Sequence, residues 1–280
     1  MEALMGKTRS LETIADFQRA LRQGYGLGSG KDYKPWLRIQ DVKSKGKRSA
    51  IHGLKTDRTH HLLSSGESEL FYLVEFANSV VDIREQFPIF PLTYTQKVAK
   101  LIGIEHPKHP VSKDPIVITT DVLLTKQSGQ TKNTSFHAIS VKPDSFLDDV
   151  RAVEKQDLER VCWELLGVPF NLYVGNELSM IKSANIAWAT SPLRDSRCHF
   201  DLDQIITALN LISVGRFYLA DLHEKFDKSQ VADNYDDLVR FLIARRYISV
   251  DMNYKIPEQG IVDIQNVVRL NGKVAINEAS

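Results

Sequence analysis

IVITTDVLL at residues 116–124 and FHAISVKP at residues 136–143 are two apolar runs separated by a polar segment that contains Gly129. Runs rich in β-branched and aromatic residues on either side of a polar, glycine-containing segment predict a β-hairpin. A single charge, Asp121, interrupts the first run, and the second run ends at Lys142. The predicted hairpin therefore places a carboxylate and an ammonium group on adjacent strands.

Asp121 and Lys142 each admit two interpretations. An aspartate buried in an apolar strand is costly unless it is paired or bound to a metal, whereas alternation along the strand would place it on a solvated face. Lys142 is either a site residue or an ordinary lysine at a strand end that points to water. The residues around each side chain leave both interpretations open.

A helix before the hairpin carries a third candidate, Glu67. Apolar residues recur from Leu70 to Ala77 at helical spacing and mark one packed face. Glu67 lies one turn before Leu70, so it can project from that face towards a neighbouring sheet. The alternative is a first-turn acid that complements the helix dipole, with Ser64 as the N-cap.

The segments around these residues predict a mixture of helices and strands. Val80–Ile83 predicts a short strand, and the prolines of Phe87–Pro91 exclude a central-strand position for the extended segment that follows. Asp148–Leu166 predicts a helix that ends at Gly167, and Phe170–Val174 predicts a further strand. The predicted order is helix, strand, strand, strand, helix, strand.

Composition describes an ordinary soluble protein of two domains. The chain has 280 residues, of which 42% are hydrophobic and 25% charged, enough for each domain to bury its own core. The formal net charge of +1 neither favours nor excludes nucleic acid, since one face can be basic while the rest cancels it. Cys162 and Cys198 are too few for a disulfide framework or a Cys-rich zinc site.

The N-terminal third offers weaker signals. Met1–Arg22 lacks the apolar core of a secretory signal, and no apolar run is long enough to cross a bilayer, so we expect a cytoplasmic protein. Leu11–Leu21 predicts a helix. The glycines from Gly24 to Gly30 predict a turn or, preferably, a mobile linker, since no Gly-Lys-Ser/Thr follows to make a phosphate loop. Lys43–Arg48 holds four basic residues, which fit either a phosphate-contacting hairpin or a solvated loop.

Residues 176–280 predict three helices and a hairpin, which is a winged-helix-like arrangement. The helices are Asp201 or Asp203 to Ile212, Phe217–Phe226 and Tyr235–Arg245; the hairpin is Tyr247–Ile256, with its turn near Asn253. Such a module binds DNA through its third helix, where Arg240, Arg245 and Arg246 lie. Acidic residues at the start of that helix would repel phosphate, and they favour protein docking instead. These acids are Asp233, Asp236 and Asp237.

The predicted order, with an aspartate and a lysine on one hairpin, resembles the core of restriction-endonuclease-like, or PD-(D/E)xK, nucleases. Four motifs resemble the TnsA family, the endonuclease subunits of heteromeric cut-and-paste transposases. They are DYKPW (32–36), HHLLS (60–64), DIREQFP (82–88) and VKP (141–143). The resemblance covers roughly residues 25–175.

The resemblance implies an α/β fold whose mixed sheet is flanked by helices. Residues 1–175 would form the catalytic domain with an N-terminal helical extension, and 176–280 a small winged-helix-like docking or DNA-binding domain. It implies Mg²⁺, with Mn²⁺ as a substitute, and assigns the following residues. The metal ligands would be Glu67 and Asp121, with Ser140 and the backbone at Val141 as further ligands, and Lys142 would be the catalytic lysine.

Two residues depart from the family pattern. Ser140 stands where nucleases of this class have an acid and the TnsA family a glutamine, and a hydroxyl is a weaker Mg²⁺ ligand. Thr120 replaces the proline that usually precedes the aspartate. The alternative function is therefore a catalytically degenerate nuclease-fold protein that acts as a DNA-binding or adaptor module.

The function implied is hydrolysis of the 5′ strands of double-stranded DNA at transposon ends. The implied partners are an integrase-type transposase subunit (TnsB-like) and an AAA+ ATPase regulator (TnsC-like), the latter through the C-terminal domain. No membrane is involved, and the protein would join the bacterial nucleoid when it acts on DNA.

Overall fold

A computed structural model of the chain describes residues 9–42, 46–129, 133–143, 149–194 and 198–270. The chain forms two compact units, Met1–Gly175 and Asn176–Ser280. Among the described residues, no helix is long and apolar enough to cross a membrane.

A four-stranded mixed sheet forms the centre of the first unit. Its strands are β3 (Val80–Pro88), β4 (Thr119–Gln127), β5 (Thr134–Val141) and β6 (Phe170–Tyr173), in the order β3-β4-β5-β6. The first three strands pair antiparallel, and β6 runs parallel to β5. The hairpin expected from the two apolar runs is confirmed as β4–β5. Phe87 and Pro88, the start of the predicted proline-containing segment, belong to β3, which lies at one end of this order as the prolines require.

Helices cover both faces of this sheet. They are α2 (Ser65–Phe76), α3 (Leu92–Leu101) and α4 (Val150–Leu165), whereas α1 (Ile14–Arg22) packs in a separate small core. Alternation along β4 divides the core, because Val122 and Leu124 pack with α2 on one side while Leu123 packs with α3 and α4 on the other.

Two elements of the first unit were not predicted from the sequence. One is α3, which follows β3, and the other is a separate hairpin of β1 (Ser49–Gly53) and β2 (Arg58–Leu62). The glycine run folds into a defined turn rather than a mobile linker: Gly26 N donates to Lys34 O. A Cβ at Gly28, whose φ is +92°, would meet Asp32 O at 2.7 Å. Lys43 to Lys45 of the basic run lie outside the described residues.

A buried ion network joins the β1–β2 hairpin to β3. The Glu85 carboxylate, fully buried, accepts from the Arg58 guanidinium at 2.6 and 2.8 Å and from His60 Nδ1 at 2.8 Å. Burial alone would raise the pKa of Glu85, but the hydrogen bonds and charges of Arg58 and His60 hold it well below its usual value. His60 is thus a partner of Glu85.

The outer side of β3 is bonded by side chains and backbone from earlier in the chain. Arg58 donates to Ile83 O at 2.8 Å, Tyr33 Oη donates to Glu85 O at 3.0 Å, and Trp36 N donates to Gln86 O at 3.2 Å. Trp36 itself packs in a small core with Phe17 of α1. These bonds fix the course of β3 up to Gln86.

The second unit combines five helices with a three-stranded antiparallel sheet in its described part. The helices are α5 (Glu177–Arg194), α6 (Leu202–Leu211), α7 (Leu219–Lys228), α8 (Tyr235–Ala244) and α9 (Ile256–Gln259). The strands are β7 (Gly215–Tyr218), β8 (Ile248–Val250) and β9 (Ile261–Val267), in the order β7-β9-β8. Leu222, Phe226, Leu238 and Leu242 are fully buried in its core.

The sequence prediction for this unit was right for α6 and α8 and wrong for the hairpin. Asp201 is the N-cap of α6. The strand after β8 is not residues 251–256 but β9, since α9 intervenes before the chain returns to the sheet. Phe217 lies in β7 rather than in a helix, and α5 was not predicted. The winged-helix assignment stays a prediction.

We expect Glu85→Gln to lower the free energy of unfolding by about 3 kcal/mol, because it leaves the buried Arg58 and His60 without a full charge partner. Chemical denaturation followed by circular dichroism measures this change. Glu105→Gln is the matched control, since Glu105 pairs with Lys108 on the surface and should change little. Equal effects of the two substitutions would contradict the network's role.

Candidate active site

Glu67 lies at the start of α2 and faces the sheet. Ser64 is the N-cap: its Oγ accepts from Glu67 N at 3.1 Å and donates to Glu67 Oε1 at 2.9 Å. Leu63 N donates to Glu67 Oε2 at 3.0 Å. Glu67 therefore does take part in capping. Glu67 is also only 5% exposed, and its Oε2 accepts a hydrogen bond from Gln86 of β3.

Asp121 lies on β4 and is paired rather than solvated. Its Oδ2 accepts from Val141 N at 2.7 Å and from Ser140 Oγ at 3.1 Å, and Lys142 Nζ stands 3.7 Å from the same oxygen. The β4–β5 hairpin thus brings Asp121 together with Ser140, Val141 and Lys142. The last two residues of β5, and Lys142 directly after it, therefore contact a single carboxylate oxygen.

Gln86 connects Asp121 to Glu67, and the sequence analysis did not single it out. Its Nε2 donates to Glu67 Oε2 and to Asp121 Oδ1, both at 3.2 Å. The flanking strand pairs, Glu85–Val122 and Phe87–Thr120, place Gln86 opposite Asp121. Its backbone is left-handed, with φ +47°, which is uncommon for a residue other than glycine. The signal available in the sequence was a lone amide inside the DIREQFP motif.

A second polar layer lies behind Ser140 on α4. Ser140 Oγ is 3.3 Å from Gln156 Oε1, and Gln156 Nε2 donates to Glu159 Oε2 at 3.4 Å. Glu159 Oε1 is buried without a hydrogen-bond partner among the described residues. Neither side chain was predicted from the sequence as a site residue. Their spacing of three residues, continued by the buried Cys162, was the signal that could have placed them on the inner face of α4.

Burial and mutual repulsion raise the pKa values of the acids. Burial, and then the negative charge of Asp121, raises the pKa of Glu67 to about 7. The same two causes in the same order raise the pKa of Glu159 to about 8. Neighbouring acids that resist ionisation in a partly closed site are typical of functional sites.

The donor set at Glu67 and Asp121 suits a hard divalent cation. Both carboxylates accept from the same N–H₂ group, that of Gln86, so their oxygens lie close together. Carboxylate oxygens are the ligands that Mg²⁺ prefers. Among the described residues, no group of three or more His, Cys, Asp or Glu side chains could hold a metal. Any such cation would therefore be held by two carboxylates and neutral oxygens. The metal ligands Glu67, Asp121, Ser140 and Val141 stay predictions, as does the role of Lys142 as the catalytic lysine.

The first unit has a mixed sheet flanked by helices, with Glu67 on α2, Asp121 on β4 and Lys142 directly after β5. This arrangement fits a nuclease-like core. Residues 77–175 match the family described as TnsA-like endonuclease N terminal. The matched segment contains Gln86, Asp121 and Lys142, and Glu67 precedes it.

The chain is also 39% identical over 188 residues to the Transposon Tn7 transposition protein TnsA of Escherichia coli. That alignment covers 67% of this chain and 66% of the relative, just under two thirds of the relative's length. These two matches identify the chain as a TnsA-like protein.

We expect Mg²⁺ binding to strengthen with pH, because a proton on Glu67 competes with the cation. Below a pKa of about 7 the carboxyl is protonated, and the affinity at about pH 6 should be roughly tenfold weaker than at about pH 8. Isothermal titration calorimetry of the native chain at both pH values measures this. Glu67→Gln should bind weakly with little pH dependence; an unchanged pH dependence in that variant would assign the effect to another group.

We expect Glu159→Gln to stabilise the protein increasingly as pH rises. The unfolded chain loses the Glu159 proton near the ordinary value of 4.5, whereas the folded protein keeps it until about pH 8. The native fold therefore loses stability across this interval, and the variant does not. Thermal unfolding at several pH values, with Glu154→Gln on the surface of the same helix as control, measures the difference. A gain that is independent of pH would contradict the assignment.

Proposed function

We propose that the chain is the metal-dependent DNA endonuclease subunit of a transposase and hydrolyses the 5′ strands at transposon ends. The observation that carries the proposal is the meeting of Asp121, Glu67 and Lys142 in a TnsA-like chain. The relative's name assigns that protein to transposition, and the family description assigns the matched segment to endonucleases.

Each of the three side chains has a distinct part in this chemistry. Glu67 and Asp121 would hold Mg²⁺, which, when bound, lowers the pKa of a water molecule and offsets charge on the phosphate. Lys142, whose side chain is 26% exposed beside Asp121, reaches the mouth of the site. There its ammonium group orients the attacking water and stabilises the charge that develops on the phosphoryl oxygens.

The bond changes are those of phosphodiester hydrolysis. The water oxygen forms a bond to phosphorus while the bond from phosphorus to the 3′ oxygen breaks, and that oxygen takes up a proton. The products carry a 5′-phosphate and a 3′-hydroxyl. Hydrogen bonds from Val141 N and Ser140 Oγ hold Asp121 still during the reaction.

We propose that residues 176–280 dock a protein rather than read DNA. Arg240 of α8 forms ion pairs with Asp236 and Asp237 on the same helix, and its guanidinium lies over the ring of Trp188. An arginine held by two acids in this way is poorly placed to contact phosphate. The partners we propose are an integrase-type subunit that cuts the 3′ strands and an AAA+ regulator.

The competing proposal is a catalytically degenerate adaptor, and Ser140 is the residue that favours it. Ser140 is 1% exposed and donates to Asp121, where an acid would have offered a charged oxygen. An adaptor would need the fold of this site but not the charges of Asp121 and Lys142.

The product spectrum of a reconstituted transposition reaction with Mg²⁺ separates the two proposals. We expect Asp121→Ala and Lys142→Ala to leave the 5′ strands joined to donor DNA, with cleavage at least roughly a hundredfold slower than in the native chain. Lys126→Ala, a lysine on the same hairpin that bonds His137, is the matched control and should act like the native chain. If all three variants cleave at the native rate, the chain is an adaptor.

A further inference from the structure

The Gln86 amide lies at the point between the two acids where a shared cation would bind. Its Nε2 is 3.2 Å from Glu67 Oε2 and 3.2 Å from Asp121 Oδ1. An N–H₂ group between two carboxylates satisfies both oxygens and reduces their repulsion in the metal-free protein. It is also a donor only, so in this orientation it would repel a cation.

The position of the Gln86 amide is fixed by burial and by its backbone conformation. The residue is 2% exposed, and its carbonyl accepts from Trp36 N at 3.2 Å. Its left-handed φ of +47° is unfavourable in a residue with a Cβ. Such a conformation persists only where the surroundings impose it, and here it directs the amide towards both acids.

The other end of the same amide is already positioned for a reversal. Thr119 Oγ1 donates to Gln86 Oε1 at 3.3 Å. A hydroxyl both donates and accepts, so after a half-turn of the amide Thr119 would accept from Nε2 instead. The reversal costs the amide no partner at Thr119, and it directs Oε1 towards Glu67 and Asp121.

We infer that Gln86 is a third oxygen ligand of the cation site, which turns its amide from donating to both acids to offering Oε1 when a divalent cation binds. Carbonyl oxygens suit Mg²⁺ and Mn²⁺. Gln86 on β3 would thus supply the oxygen ligand for which the Ser140 hydroxyl on β5 is a weak substitute. The inference rests on the proposed metal dependence and adds a residue to it.

The test is Mg²⁺ binding to the full chain, measured by isothermal titration calorimetry. Gln86→Leu keeps the approximate shape but removes the oxygen, and we expect it to weaken binding by at least roughly tenfold. Gln86→Glu keeps an oxygen at the same length and should bind at least as tightly as the native chain. Gln96→Leu, an exposed glutamine of α3, is the matched control.

A second measurement follows the amide in the native chain and uses a variant only to assign its signal. In the ¹⁵N-labelled native chain, the Gln86 side-chain N–H₂ signal, assigned by its loss in Gln86→Glu, should move when Mg²⁺ is added. The N–H₂ group then donates to Thr119 rather than to two carboxylates. A signal that stays in place while Mg²⁺ binds overturns the inference.

The outcomes separate this inference from the proposed function. Weaker binding by Gln86→Leu, with binding kept by Gln86→Glu, supports the oxygen ligand. Equal or tighter binding by Gln86→Leu overturns it and leaves the metal-dependent nuclease standing, since the amide then only blocks the cation. A native chain that binds no Mg²⁺ would remove the metal dependence itself.

Discussion

The first unit depends on keeping two carboxylates close together in a largely buried place. Like charges at short range repel strongly where water is excluded, so Glu67 and Asp121 need donors on every side. The donors are Leu63 N before α2, Gln86 Nε2 on β3, and Ser140 Oγ and Val141 N on β5. The order of α2, β3, β4 and β5 can be understood as the framework that brings these donors to one point.

Much of this framework could be predicted from the sequence, because its signals are local. The β4–β5 runs, the spacing of α2 and the charge of Asp121 inside an apolar strand are each visible within a short stretch of sequence. The same holds for the capping of α2 by Ser64. The hairpin placed Lys142 beside the strand that carries Asp121, since neighbouring strands have a fixed spacing, and the structure decides that the two side chains pair.

The rest could not be predicted, because it depends on contacts between distant residues. The role of Gln86 arises from its register with Asp121 and from a backbone conformation that no composition rule assigns to glutamine. Glu159 looks like an ordinary helix acid until α4 packs it against the sheet. In the second unit, the strand that completes the sheet comes after a short helix, so the nearest apolar segment was the wrong partner.

The bonds along the outer side of β3 have a consequence for self-association. An exposed strand edge offers unpaired carbonyls to other chains and invites aggregation. On β3 the carbonyls of Ile83, Glu85 and Gln86 already accept from Arg58, Tyr33 and Trp36. Pro88 cannot donate, and the left-handed Gln86 breaks the flat geometry that an added strand would need. The residues that shape the candidate site therefore also protect this edge against pairing with a second molecule.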